Sequence, residues 1–309
     1  MKLRKIITVF LIMLLALSAV ACVKEKAPTE AAIVNGEAIA WEDFEQTLSL
    51  EKKIFEMRWA QQFGPMDWST EIEPGVPYLD MFKQDVLDKM IVNLLIFQEA
   101  AKNEITLTQE ELDEIMAEFK SDFEDTEYQE FLAMYDMTEE TFVNYIKTQE
   151  IENRFYAFFT ESLNTSVDEL QTHFDEKKNQ FIQVGASHIL VYSIEEAQEV
   201  LDLIQEGYEF AELAMEYSED FNSAIMGGDL GYFGKGDMVG EFEEAAFSLQ
   251  AGEISEIITS DFGFHIIYVY DVKDTFELNE DRVRRDFYSS KYRAHIEKLE
   301  SEATIQRNL

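Results

Sequence analysis

One cysteine, four prolines and only 25 basic residues against 63 acidic ones are the scarcities of this 309-residue chain. The lone cysteine, Cys22, excludes an internal disulfide, so the fold must rest on burial and hydrogen bonding. Three of the prolines, Pro65, Pro74 and Pro77, fall with Gly64 and Gly75 in one stretch, which reads as a loop over 64–77. From Tyr78 onward there is none, and helical patterns dominate. The shortage of Lys and Arg gives a formal charge of −38. That balance excludes nucleic-acid binding, because no basic field is present to displace phosphate counterions, and it repels an anionic membrane surface. The apolar run from Ile6 to Leu17 is too short for a membrane span.

What is present begins with an export signal. Lys2, Arg4 and Lys5 form a charged start, Ile6 to Leu17 an apolar middle, and Ser18-Ala19-Val20-Ala21 a small-residue cleavage region, so residues 1–21 are expected to be removed. Their removal leaves 288 residues and, with three cations lost, a formal charge of −41. Ala19-Val20-Ala21-Cys22 resembles the lipobox of bacterial lipoproteins, which implies lipidation of Cys22; an ordinary secretory signal with an incidental cysteine is the alternative. Residues 22–32 are polar, carry Pro28 and read as a tether between lipid and body. Attachment to a membrane then comes from the lipid on Cys22, since the acidic body is repelled. The acidity itself reads as a solvated surface, with binding of basic clients or cations as the alternative.

Residues 33–163 read as a mostly helical region. Ile33-Val34 and Glu37-Ala38-Ile39 flank Asn35-Gly36, a hairpin signal, and Trp41 to Met57 is helical in pattern. Met81, Val86, Met90, Leu94 and Phe97 approximate one apolar helix face. Thr108-Gln109-Glu110-Glu111 and Thr138-Glu139-Glu140-Thr141 carry the spacing of helix N-caps. The Val34-Asn35-Gly36 start and this helix order resemble the N-terminal chaperone region of the PrsA and SurA families of exported foldases. Residues 164–181 read as a linking helix. In residues 275–309, Tyr288, Tyr292, Ile296 and Leu299 make a stripe that a lone helix cannot bury. In the resembling families this C-terminal segment returns to the N-terminal region, which implies that the domain between is an insertion. The basic residues Arg282, Arg284, Arg285, Lys291, Arg293 and Lys298 are expected to face the acidic N-terminal helices.

Residues 182–274 carry the densest information. Val184 to Val191 reads as a strand, and Ser193-Ile194-Glu195-Glu196 caps a helix buried through Ala197, Val200, Leu201 and Ile204. Phe210 to Tyr217 and Phe242 to Leu249 pattern two more helices, while Gly227 to Phe233 and Phe264 to Tyr270 return as strands. The β-α-α-β-α-β-β order is that of an α+β domain. Three segments in register, Ala186-Ser187-His188-Ile189-Leu190, Gly227-Gly228-Asp229-Leu230-Gly231 and Phe262-Gly263-Phe264-His265-Ile266-Ile267, resemble parvulin-type peptidyl-prolyl isomerases over about 90 residues.

The resemblance implies a four-stranded antiparallel sheet with helices, inserted into a mostly α-helical chaperone domain. It places His188 and His265 at the family's paired histidines, Asp220 at a position held by cysteine or aspartate, and Ser260 where threonine is common. It puts Leu230, Met238 and Phe242 in the proline slot, where periodicity alone reads ordinary core. A histidine on a strand is also often a satisfied interior group. Gly240 stands where many relatives have proline, which implies a more flexible loop beside the slot. Tyr192-Ser193-Ile194-Glu195-Glu196 offers acids where phosphate-selecting relatives carry a basic cluster, so phosphate selection is not expected.

The expected protein is a peptidyl-prolyl cis-trans isomerase and chaperone, anchored on the outer face of a bacterial cytoplasmic membrane. Its expected clients are unfolded or partly folded secreted chains with X–Pro bonds, and no cofactor, metal or nucleic acid enters; a homodimer is left open. A holdase with a degenerate isomerase domain is one alternative. A metal enzyme using His188, His265 and Asp220 as ligands is the other.

Overall fold

The computed structural model describes residues 29–124 and 126–309. The signal at 1–21, the lipidation site Cys22 and the tether before Thr29 lie outside the described residues. Two compact units divide the chain: residues up to Ala157 together with Ile296–Leu309, and Phe158–His295.

In the first unit, β1 (Glu30–Val34) and β2 (Glu37–Ala40) form the hairpin expected around Asn35-Gly36. Asn35 at φ 52° and Gly36 at φ 88° supply the two left-handed residues of such a turn. The strand begins inside the stretch expected as tether, because Ala31 and Ala32 are fully buried against Phe44, Leu87 and Ile91. Helix α1 (Trp41–Phe63) runs a turn and a half beyond the expected Met57, and the loop at 64–77 contains a small hairpin of β3 (Glu71–Glu73) and β4 (Val76–Pro77). Helix α2 (Tyr78–Lys102) buries Val86, Leu87, Ile91 and Leu95 on the same core.

Helix α3 (Gln109–Ser121) opens on the expected capping box. Thr108 Oγ1 accepts from the Glu111 amide while the Glu111 carboxylate accepts from the Thr108 amide. Those bonds and Arg154 hold the Glu111 carboxyl down at about 2. Helices α4 (Glu127–Met134) and α5 (Glu139–Ser162) complete an aromatic-rich cluster with Leu112, Met116, Tyr128, Leu132 and Phe142. Thr138 Oγ1 caps α5 by accepting from the Thr141 amide.

The second unit opens with α6 (Val167–Glu176), capped by a Ser166–Glu169 box, and the single turn α7 (Lys178–Phe181). The expected linking helix is therefore broken at Lys177. Next come β5 (Gln183–Val191), α8 (Ile194–Gln205), α9 (Phe210–Tyr217), the single turn α10 (Phe221–Ala224), β6 (Asp229–Phe233), α11 (Gly240–Ser248), β7 (Ile258–Ser260) and β8 (Gly263–Lys273). The four strands make an antiparallel sheet in the order β6-β5-β8-β7. Alternation along β5 and β8 splits the core between the sheet's faces. Ile189, Val191 and Ile266 pack under α8 and α9, while Val184, Ala186, Ile267 and Val269 pack under α11.

Helix α12 (Phe276–Glu302) corrects two expectations. Its fully buried stripe is Phe276, Asn279, Val283 and Phe287, ahead of the expected Tyr288 to Leu299 stripe, which is only half-buried. Phe276, Val283 and Phe287 bury against Leu170, Phe174 and Phe181, so the first five turns belong to the second unit. The rest of 275–309 joins the N-terminal unit through β9 (Ile305–Arg307), which pairs antiparallel with β1. The basic residues also differ from expectation: Arg284 pairs with Glu280 and Lys298 with Glu302 on the same helix, and Arg282 donates to the Phe181 carbonyl. A cation reaches an acid along its own helix at the i−4 or i+4 position with little loss of side-chain freedom. No helix among the described residues is long and apolar enough to cross a membrane.

Candidate active site

The cleft is built at the end of the sheet face covered by α11. His188 on β5 pairs in register with Ile267, and Leu190 with His265, so the two imidazoles are diagonal neighbours on one face. Their rings stack at 5.6 Å and 20°, with the Nδ1 atoms 3.4 Å apart. Phe242, at the start of α11, stands edge-on to both, 5.7 Å from His188 and 5.4 Å from His265. Its ring is only 3% exposed and forms the floor, while Leu230 and Met238 pack in the same cluster and stay half-buried.

Glycine makes the site possible at one position. Gly228 accepts the His188 amide at 2.9 Å, and a Cβ there would lie 2.3 Å from the His188 carbonyl oxygen; its φ of 83° also excludes most side chains. Just upstream, the chain is tied to the end of β5: the Leu190 amide donates to Ser218 Oγ and the Glu219 amide to the Leu190 carbonyl, at 3.2 and 2.7 Å. These two bonds fix the backbone that presents Asp220. Asp220 Oδ2 then meets His188 Nε2 at 2.8 Å and Ser223 Oγ at 2.5 Å.

At the other end of the pair, Ser260 Oγ lies 2.7 Å from His265 Nε2 and accepts the Phe262 amide at 3.1 Å. A neutral His265 allows Ser260 to donate to its Nε2 and its Nδ1–H to point at His188 Nδ1, while His188 Nε2 faces the Asp220 carboxylate. The electrostatics agree at both ends. Burial, with a smaller contribution from His188, pushes His265 down to about 4. The Ser223 hydroxyl, aided by His188, holds the Asp220 carboxyl below the usual range.

His188, His265, Asp220, Ser260, Leu230, Met238 and Phe242 thus lie in one neighbourhood. Ser223, which braces both His188 and Asp220, escaped the sequence reading; its only signal was the i, i+3 spacing from Asp220 at the head of a helical turn. The three groups of the metal alternative are turned into hydrogen bonds with one another and with serines. Among the described residues no group of three or more His, Cys, Asp or Glu side chains could hold a metal ion. The slot loop is also braced, with the Gly234 amide donating to Asp237 and the Gly236 amide to Glu243.

Residues 171–273 match the PPIC-type PPIASE domain family, and residues 2–155 the SurA-like N-terminal domain. The protein is a peptidyl-prolyl cis-trans isomerase of the parvulin type, within a helical chaperone part. It is 39% identical to foldase protein PrsA of Halalkalibacterium halodurans, over 72% of this chain and 69% of that one. It is 33% identical to foldase protein PrsA of Caldanaerobacter subterraneus subsp. tengcongensis, over 85% of this chain and 81% of that one. A solved structure of PrsA from Bacillus anthracis is 28% identical, covering 69% of this chain and 93% of its own, with a TM-score of 0.36. The chain belongs to the PrsA foldase family.

Proposed function

We propose that this foldase isomerises X–Pro bonds of exported, incompletely folded polypeptides at the cleft of Leu230, Met238, Phe242, His188, His265, Asp220 and Ser260. The observation that carries the reading is the edge-on placement of Phe242 against both imidazoles, which joins an apolar floor to a polar row. Rotation about X–Pro faces a barrier of about 20 kcal/mol because it breaks amide resonance. A slot that holds the proline ring and leaves the preceding carbonyl to turn favours the twisted amide over both planar ones. The Phe242, Met238 and Leu230 surface excludes the water that stabilises the polar planar amide.

The polar row acts on the turning carbonyl without a nucleophile. Asp220 is ionised, and its charge is directed along the row through His188. Neutral His265, with Ser260, sets the hydrogen bonding that a twisted carbonyl meets. Cys22 carries the lipid in this reading, and anchors the protein outside the cytoplasm. The family name, foldase, and the export-type start of the chain support an extracytoplasmic setting, where slow proline isomerisation delays folding.

The test is cis-to-trans conversion of a proline tetrapeptide by the full chain, with Phe242→Ala and Met238→Ala as controls. Catalysis that both variants reduce is expected. Binding of unfolded clients with no catalysis would instead favour the holdase. Mass spectrometry of the membrane-bound protein is expected to show a lipidated Cys22, and Cys22→Ser to release the protein into the medium.

A further inference from the structure

Strand β6 carries one residue more than the strand it pairs with. Gly185 on β5 is opposite Tyr232 and Ser187 is opposite Asp229, so three steps along β6 span two along β5. The extra residue lies at Leu230-Gly231, where Gly231 is left-handed at φ 68°, a β-bulge. Its effect shows in the packing. Leu230 and Phe233, three residues apart, share the Phe242 cluster, whereas in an unbroken strand residues three apart lie on opposite faces. The bulge therefore turns Leu230 into the slot, and whatever holds the bulge holds Leu230.

Backbone pairing alone holds it weakly. Strand β6 is at the edge of the sheet and meets β5 only at Val184, Gly185 and Ser187. Two side chains supply the rest. Asp229 Oδ1 accepts the Gly231 amide at 2.9 Å, closing a turn around Leu230, and the same oxygen accepts the Tyr270 hydroxyl at 3.0 Å. Tyr270 belongs to β8, which is paired with β5 from Gln183 to Val191 and so gives a stiff support. Its ring crosses β5 at Gly185, where a Cβ would lie 2.5 Å from Tyr270 Cε2 and 3.0 Å from Tyr232 Cε1. The Tyr232 hydroxyl makes the return bond, donating to Asp271 Oδ2 at 2.5 Å, and the two rings meet edge to face at 6.0 Å. Burial and the bond to Asp229 push the Tyr270 hydroxyl up to about 12, so it stays protonated and donating near neutral pH. Asp229 itself is exposed, which leaves these bonds as its contribution.

We infer that Asp229 and Tyr270 are positioning residues for the isomerase reaction: together they fix the bulge that turns Leu230 into the proline slot. This rests on the proposed site, and adds to it a tie from β8 to the strand that carries one wall. Neither side chain touches the substrate in this arrangement; both act through Leu230.

The experiment measures kcat/KM of the full chain on Ala-Leu-Pro-Phe, with the thermal midpoint of each variant. Tyr270→Phe, which keeps the ring and removes the hydroxyl, is expected to lower kcat/KM roughly fivefold. Tyr232→Phe, which loses the matching bond to Asp271, is expected to leave it unchanged. Asp229→Asn, whose side-chain oxygen still accepts both bonds, is expected to retain the rate that Asp229→Ala loses. Coupling supplies the readout that general destabilisation would not move: in a Leu230→Ala background, Tyr270→Phe is expected to add no further loss. Additive losses in that background, an equal loss in Tyr232→Phe, or wild-type turnover by Tyr270→Phe overturn the inference. Failure of the slot itself looks different: Leu230→Ala alone would then turn over at the wild-type rate, and the inference would fall with the site.

Discussion

His265 shows how a single residue couples the cleft to stability. It is 4% exposed and its imidazole is pushed down to about 4, from an ordinary 6.5, mainly by burial. Between those two values the unfolded chain binds a proton at this residue and the folded one does not, so folding stability falls as pH drops from about 6.5 towards 4. The loss at this one group totals about 3 kcal/mol. Chemical denaturation across pH 4.5–7.5 is expected to show a shallower fall for His265→Gln than for the wild type; parallel curves would show that the imidazole is not held neutral. Asp220 is shifted in the same direction, so it too lowers folding stability as pH falls, at more acid pH than His265. Its carboxyl is lowered chiefly by Ser223, so Ser223→Ala should raise the Asp220 pKa and move the acid limb of the kcat/KM profile to higher pH. A pH-independent loss would make Ser223 only structural. Ser223 was missed because a serine three residues after an aspartate is an ordinary turn pattern, whereas His188, Asp220 and His265 were legible through the segments around them.

At the scale of elements, the turn that carries the slot is the most testable. Gly240 is the first residue of α11, Val239 before it is extended at φ −63° and ψ 146°, and a Cβ on Gly240 would meet nothing within 4 Å. Proline suits a first helical position, and an extended preceding residue accepts it. Gly240→Pro is expected to stabilise the protein by about 0.5–1 kcal/mol in urea titration, through the unfolded chain's lost freedom; destabilisation would show that the loop needs glycine. The capped helices were legible because a hydroxyl three residues before a carboxylate, as at Thr108 and Ser193, or directly ahead of two glutamates, as at Thr138, states a helix start locally. Helix α4 was not: its eight residues follow Thr126, which makes no side-chain cap, and only Tyr128 and Leu132 are fully buried, with Phe131 beside them half-buried. The break at Lys177 likewise had no local signal, since it follows from Phe181 turning back onto Phe174 at 5.9 Å.

For the whole molecule, the two ends of the described chain meet in the N-terminal unit. Strand β9 pairs with β1, Asn35 accepts the Thr304 amide, and Arg307 holds Asp88 on α2. Deleting residues 304–309 is expected to lower the thermal midpoint of the N-terminal unit by several degrees and leave that of the isomerase unit unchanged. A calorimetric trace with one unaltered transition would contradict it. Three residues with no alternation to read cannot announce a long-range strand pairing, and the sequence offered none. Nor could it divide α12, whose Phe276, Val283 and Phe287 serve one core while Ala303 and Ile305 beyond its end serve another. The insertion of the isomerase unit was legible only through the resemblance to families whose C-terminal segment returns to the N-terminal region, and residues 296–309 do join that unit. The account as a whole stands on a slot that lowers the rotational barrier. Its most direct test is the rate of cis-to-trans conversion of Ala-Leu-Pro-Phe by the full chain beside Phe242→Ala and the half-exposed Met238→Ala. Since truncating a buried phenylalanine costs about 3–5 kcal/mol, the Met238 variant guards against simple unfolding. Catalysis by the wild type with losses of roughly tenfold or more in both variants is predicted; folded variants that turn over at the wild-type rate would contradict it.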